Sequence, residues 1–321
     1  MQKKLLYIII TIVFISTSLL LGACSQIAGS GEPVTLKIAV LPILDTLPMY
    51  VAQEEGLFVE NGITVEFIPV GSAPERDQVI SAGQADGMVN EVVSVMFYNQ
   101  EEIQVQVVRY ARTATSETAL FRILAAGNSG INSVEQLKGT PIGVSEGTVI
   151  HYLTDRLLQA QGFTEDEITT VAVPKIPDRM ALLGTGELPA AMLPEPLSSL
   201  AIQGGAVLVL DDRSNPDLSY STITFRKAVI DEHPQAIGAF LAAVEEAVTR
   251  INAEPEKYSS LLSDQNIVPP SLVGEYKVPL FVTAGVPTER QWDDVYEWAK
   301  GKGLLEALVS YGDSVTSEYL P

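Results

Sequence analysis

Strand-like and helix-like stretches alternate along the first two thirds of the chain. This alternation limits the fold more than any other feature of the sequence. "VTLKIAVLPI" (34–43) is an apolar, β-branched run of strand length. "PMYVAQEEGLF" (48–58) carries a helical pattern that stops at Gly56. "ITVEFIPV" (63–70) is a strand again, and "APERDQVISAG" (73–83) is a helix with Pro74 near its start and Gly83 past its end. "DGMV" (86–89), "NEVVSVMFYNQ" (90–100) and "IQVQVVRYAR" (103–112) continue as strand, helix and strand. The order restarts at "TALFRILAA" (118–126) and runs through "TPIGVSEGT", "VIHYLTDRLLQAQG", "ITTVAVPKI" and "LPAAML" to "AVLVLDD" (206–212). Such order predicts two α/β units in tandem, each a mainly parallel sheet with helices on both faces. After "STITFRKAVIDEHP" (221–234) helices dominate, and a helical tail most simply packs back on one of the two sheets.

The 321-residue chain has one cysteine, Cys24, which excludes an internal disulfide framework. It follows Lys3, Lys4 and the uncharged run "LLYIIITIVFISTSLLL" (5–21), the pattern of a secretory signal. Leu21-Gly22-Ala23-Cys24 resembles the lipobox of bacterial lipoproteins, in which cleavage before the cysteine leaves a diacylated sulfur. The resemblance implies a signal peptide at 1–23 and a membrane anchor on Cys24. Two acyl chains hold stably at roughly 0.8 kcal/mol per buried methylene. "SQIAGSGEP" (25–33) has the composition of a tether, which we place at 24–34. The formal charge is −20, with no basic stripe, so nucleic acid is not an expected partner.

Four stretches carry a wider resemblance: "PMYVAQEEGLFVENGITVEFIPV", "ISAGQADGMV", "LKGTPIGVSEGTVIHYL" and "AAMLPEPLSSLAIQGGAVLVLDD". In this order they resemble the solute-binding proteins of bacterial ABC importers, of the branch for aliphatic sulfonates, taurine, nitrate and thiamine-type pyrimidines. The resemblance covers roughly residues 35 to 300. It implies a two-lobed, type II periplasmic-binding-protein fold with ligand held between the lobes. Residues 35–115 with 222–321 would form lobe I and 116–221 lobe II. It further implies a small-molecule ligand, an ABC permease as partner, a monomer, no cofactor or metal, and a place on the outer side of a membrane.

In open α/β sheets ligands bind beyond the carboxyl ends of the strands. Those ends nominate Asp45 and Thr46, Ser72 and Arg76, Asn90 and Glu91, and Thr113 at the first crossover. In the second unit they nominate Ser145, Gly147, Thr148, Lys175, Arg179 and Glu195. Most have a plainer alternative: Asp45 or Thr46, and Ser145 or Thr148, as helix caps, Arg76 and Arg179 as partners of neighbouring acids, Glu195 as an acid at a helix start. His151 and His233 have no partner at a catalytic spacing.

Asp45, Glu91 and Glu195 suit an amine or heterocycle, whereas Arg76, Lys175 and Arg179 suit an acid; a zwitterion suits both sets. "MLPEP" carries Leu193 and Glu195 where sulfonate-type relatives differ. The loop "VSEGT" before the helix at 149 would meet an electronegative part of the ligand through helix N–H groups and the Ser145 and Thr148 hydroxyls. The rival class is an enzyme of the same fold acting on a small heterocyclic or amino-acid-like metabolite. The sequence holds no Walker, GxGxxG, GxSxG or HExxH motif to support it.

Overall fold

A computed structural model describes residues 33–272 and 275–321. Cys24, the segment before it and most of the tether lie outside the described residues. Ten strands form two sheets: β1 (Val34–Val40), β2 (Ile63–Pro69), β3 (Gly87–Asn90), β4 (Val105–Thr113), β5 (Phe121–Ala125), β6 (Pro141–Val144), β7 (Thr169–Ala172), β8 (Ala190–Pro194), β9 (Val207–Asp211) and β10 (Tyr220–Arg226). The first sheet has the order β2-β1-β3-β10-β4 and the second β7-β6-β8-β5-β9.

Both sheets are mainly parallel, as the sequence leads one to expect, but each carries one reversed strand and is therefore mixed. In the first, β1 pairs in parallel with β2 and β3, and β10 runs antiparallel between β3 and β4. In the second, β6 pairs in parallel with β7 and β8, and β5 runs antiparallel to β8 and β9. The reversed strand in each sheet is the one the chain enters on crossing from the other sheet. A strand that arrives by crossover comes in from the far end, so its direction is opposite to its neighbours'. β10 fits only because Gly87 opposes Phe225: a Cβ at Gly87 would lie 2.7 Å from the Phe225 ring.

Central strands are buried on both faces, as strands covered by helices must be; β3 and β8 are buried throughout. One face of the first sheet packs on helices Leu47–Glu54, Leu57–Glu60 and Pro234–Ala253, where Phe58 stacks on Phe240 at 5.3 Å between ring centres. The opposite side packs on helix Val92–Tyr98, and the core there continues through Trp292 and Trp298 to Ile123, Ile142 and Met192 of the second sheet. Helix Glu289–Gly301 therefore does not pack on one sheet alone. It also meets helix Val149–Ala160: the Tyr152 hydroxyl donates to Asp294 at 2.6 Å and the Trp298 indole N–H to Asp155 at 2.8 Å. Leu124, Leu183, Leu188 and Leu193 form a smaller core behind the second sheet.

The two crossovers, 114–120 and 212–219, are bonded to each other. The buried Asp212 carboxylate accepts the backbone N–H groups of Leu120 and Phe121 and the Ser219 hydroxyl. Ala114 N–H donates to the Ser219 carbonyl at 2.9 Å. Among the described residues no helix is long and apolar enough to cross a membrane.

Candidate functional site

The carboxyl ends of strands from both sheets converge on one cleft. Its walls come from Asp45 after β1, Arg76 after β2, Asn90 and Glu91 at β3, Ser145 and Thr148 after β6, Pro174 and Ile176 after β7, and Pro194 at the end of β8. Phe121 and Ser221, at the starts of β5 and β10, close the crossover side. About 630 Å³ inside it is free of protein atoms, of which about 60 Å³ is open to a water molecule. Most of the wall is apolar, with Leu41, Ile43, Val89, Leu120, Val149 and Ile150 between the polar groups. Apolar walls with a few fixed polar groups are the usual make-up of a small-molecule site.

The polar groups are tied to one another. The Arg76 guanidinium lies 2.8 Å from Asp77 and 3.4 Å from Glu91. Burial disfavours its charge, but these two carboxylates outweigh that and raise its pKa. Glu91 caps helix Val92–Tyr98 by accepting the Ser94 N–H at 3.1 Å. Burial pushes its carboxyl above the usual range, against the pull of Arg76. Asp45 accepts from the Ser221 hydroxyl and lies 3.8 Å from Arg112; its side chain caps no helix. Asn90 accepts from Thr222 at 2.9 Å and Thr224 at 2.6 Å through its carbonyl oxygen. Its Nδ2, though buried, has no partner among the described residues. An unpaired buried donor on a residue that lines a cleft is a candidate partner for a ligand acceptor.

Six of the nominated residues thus meet in the cleft: Asp45, Arg76, Asn90, Glu91, Ser145 and Thr148. The others do not line it. The Thr46 hydroxyl donates to the Ile43 carbonyl, and Ser72 caps helix Ala73–Ser81. Thr113 pairs with Tyr220 across the sheet, and Lys175 points to solvent. Gly147 has φ +68°, the left-handed turn that glycine permits, and its N–H donates to His151 Nδ1 at 3.3 Å.

Arg179 lies wholly buried behind the cleft and donates to the Val173 carbonyl. Burial lowers its pKa to about 10, and among the described residues no acid pairs with it. Glu195 faces a different cavity, where it pairs with Arg122 and accepts from Ser198 and Ser199.

The loop before the helix at 149 offers less than its sequence promised. The Ser145 hydroxyl donates to the Pro174 carbonyl, and the Thr148 hydroxyl donates to the Ser145 carbonyl while capping the Ile150 N–H. Neither proton is free for a ligand. Ser221 and the apolar wall were not nominated from the sequence. Ser221 reaches the site only through the insertion of β10, and apolar residues such as Phe121 and Ile176 read as core until the fold shows them facing a cleft.

Residues 44–258 match the model of the NMT1/THI5-like family, which is most of the chain and includes every polar residue that lines the cleft. The chain belongs to this family. A Bacillus subtilis protein named for binding aliphatic sulfonates is 25% identical over 270 residues, 82% of this chain and 78% of that protein. An ABC transporter periplasmic binding protein of Brachyspira hyodysenteriae is 24% identical, over 79% of this chain and 76% of its own length. Among solved structures, the alkanesulfonate-binding protein SsuA from Xanthomonas axonopodis pv. citri, bound to MOPS, has the same fold. Its TM-score is 0.75 at 16% identity, covering 89% of this chain and 99% of that one. The fold also serves catalysis: the desulfurization enzyme DSZB superposes with a TM-score of 0.67 at 14% identity, covering 89% and 97% of the two chains. The relatives named here are binding proteins.

Proposed function

We propose that this protein is the extracytoplasmic solute receptor of an ABC importer. It captures one small molecule in the cleft between two lobes, 35–115 with 222–321 and 116–221, and delivers it to a membrane permease. Residues 1–23 act as the signal, Cys24 as the lipid anchor, and 24–34 as the tether that lets a monomeric receptor reach the permease. The observation that carries the reading is the cleft itself, where strand ends of both sheets bring Asn90, Glu91 and Asp45 against apolar walls.

The cleft chemistry favours one kind of solute. Among the described residues the one guanidinium that lines the cleft, Arg76, already lies between Asp77 and Glu91, so none of them offers a sulfonate an unengaged cation there. Two carboxylates and the Asn90 amide suit a compact, largely apolar solute with N–H donors beside one acceptor. Binding, not reaction, fits the same groups. The two serines of the cleft donate to Pro174 and Asp45, and no histidine is bonded to either among the described residues.

Native mass spectrometry of the protein purified from its own cells tests this. One small solute per chain, released chemically unchanged, is the expected result; release of a converted product contradicts a receptor. The anchor is checked separately: labelling with a radioactive fatty acid should disappear in Cys24→Ser, and persistent labelling refutes it.

A further inference from the structure

The short segment that walls the cleft has a second side. Leu120 and Phe121 line the cleft, whereas Ala119 and Arg122 line a separate cavity; Pro194 and Glu195 divide in the same way. This second cavity has about 550 Å³ open to water and is bounded across from the sheets by Leu272 and residues 275–279. Arg112 of β4 reaches it with a side chain that is almost fully buried.

Arg112 is poorly satisfied. Its Nη2 lies 3.5 Å from the Ala119 carbonyl, at the limit of a hydrogen bond, and its nearest carboxylate, Asp45, is 3.8 Å away and engaged by Ser221. Its Nε and Nη1 have no hydrogen-bond partner among the described residues. Arg122, beside it in the cavity, is in a different state: Glu195, Ser198 and Ser199 hold its Nη1, and its Nε is buried without a partner among the described residues. The acids of the cavity do not answer Arg112 either. Glu195 is engaged as described, Glu275 accepts from Gln203 at 3.1 Å, and Glu117 is exposed. Burial raises the Tyr276 pKa; the charges of both arginines and a hydrogen bond from Arg112 pull it the other way, and the phenol that accepts from Arg112 keeps its own proton to donate.

A guanidinium presents planar, paired N–H donors that match an oxyanion in two-point contact. Leaving such donors buried and unpaired is costly, roughly 1–3 kcal/mol for each group and more when charged. We propose that this cavity is an oxyanion site, distinct from the solute cleft, in which Arg112 and the Tyr276 hydroxyl hold a sulfonate, carboxylate or sulfate group. The site goes beyond the receptor function and does not depend on the identity of the solute. It sits where β4 leads into the first crossover, so its occupant touches the segment on which the two sheets would move.

The test is a titration of the full chain with sodium sulfate and with methanesulfonate at about 0.15 M ionic strength, where long-range repulsion from the acidic surface is screened. Calorimetry and the Nε–H resonance of Arg112 are followed together. A saturable shift of that resonance is expected, with binding at least tenfold weaker in Arg112→Gln, partly kept in Arg112→Lys and unchanged in Asn90→Ala, a position outside this cavity. Equal affinity for the two ions assigns a free inorganic anion; a tenfold preference for methanesulfonate assigns the acid group of an organic molecule. No saturable shift with either ion, wild-type affinity in Arg112→Gln, or loss of binding in Asn90→Ala overturns the site. The wild-type resonance decides the matter even if the arginine variants fold poorly.

Discussion

Asp212→Ala is expected to destabilise the protein by about 2–5 kcal/mol, the largest loss for a single polar side chain. Asp212 is fully buried and joins the two crossovers through the N–H groups of Leu120 and Phe121 and the Ser219 hydroxyl. Alanine leaves two backbone donors unpaired in the interior, each worth about 1–3 kcal/mol. Asparagine keeps one acceptor and should lose less. Burial raises the Asp212 carboxyl above its ordinary value, against the three hydrogen bonds that favour the charged form. A raised folded pKa contributes stability that is fully present below the unfolded value, near 4, and is lost as pH rises through the folded one. The deficit of Asp212→Asn should therefore be greatest in acid and shrink toward neutrality. Urea denaturation at several pH values reads both effects. An alanine variant within 0.5 kcal/mol of wild type, roughly the range of a neutral surface change, refutes the role given to this carboxylate.

Trp298→Ala should cost about 3–5 kcal/mol, the range for removing a large aromatic from a core. The indole is buried, meets His151 and Tyr152 edge-on at 5.2 and 5.6 Å, and donates to Asp155. It ties helix Glu289–Gly301, whose core also takes in helix Val92–Tyr98 against the first sheet, to helix Val149–Ala160 that follows β6. Trp298→Phe keeps most of the packing and loses one hydrogen bond, about 0.5–1.5 kcal/mol. His151 gives an independent readout. Burial holds its pKa below the ordinary value, against the pull of Asp155. Opening the Trp298 side to water should let that pKa rise, which a titration of the imidazole by NMR detects. A melting temperature and a His151 titration both unchanged in the alanine variant contradict the tie.

The strands were legible because each is a short β-branched or apolar run bounded by turns, a local property. Their order in the sheets was not. The reversal of β5 and β10 arises from pairings such as Ile223 with Val89 and Ile123 with Leu210, between residues far apart in sequence, and no local pattern encodes them. The same limit governs the site. A strand end tells where the chain turns toward a cleft, and so Asp45, Arg76, Asn90 and Glu91 could be nominated. It does not tell which neighbouring side chain turns in: Thr46, one residue from Asp45, faces its own backbone. Arg179 and Glu195 illustrate the opposite error, charges that look like ligand contacts and are enclosed elsewhere. The free valence at Asn90 was invisible for a further reason. It exists because Thr222 and Thr224 arrive on β10 and engage only the carbonyl end of the amide.

Asn90 also offers the most direct test of the solute cleft. The solute recovered from the purified protein is titrated back, by calorimetry, into solute-free wild type and Asn90→Ala. One site per chain is expected, with affinity at least tenfold weaker in the variant, about 1.4 kcal/mol; the variant also melts lower without solute, because the buried Thr222 and Thr224 hydroxyls lose their acceptor, so both titrations are run well below its melting temperature. Equal affinity in the two proteins would show that the solute binds elsewhere and that the cleft between the sheets is not the receptor site.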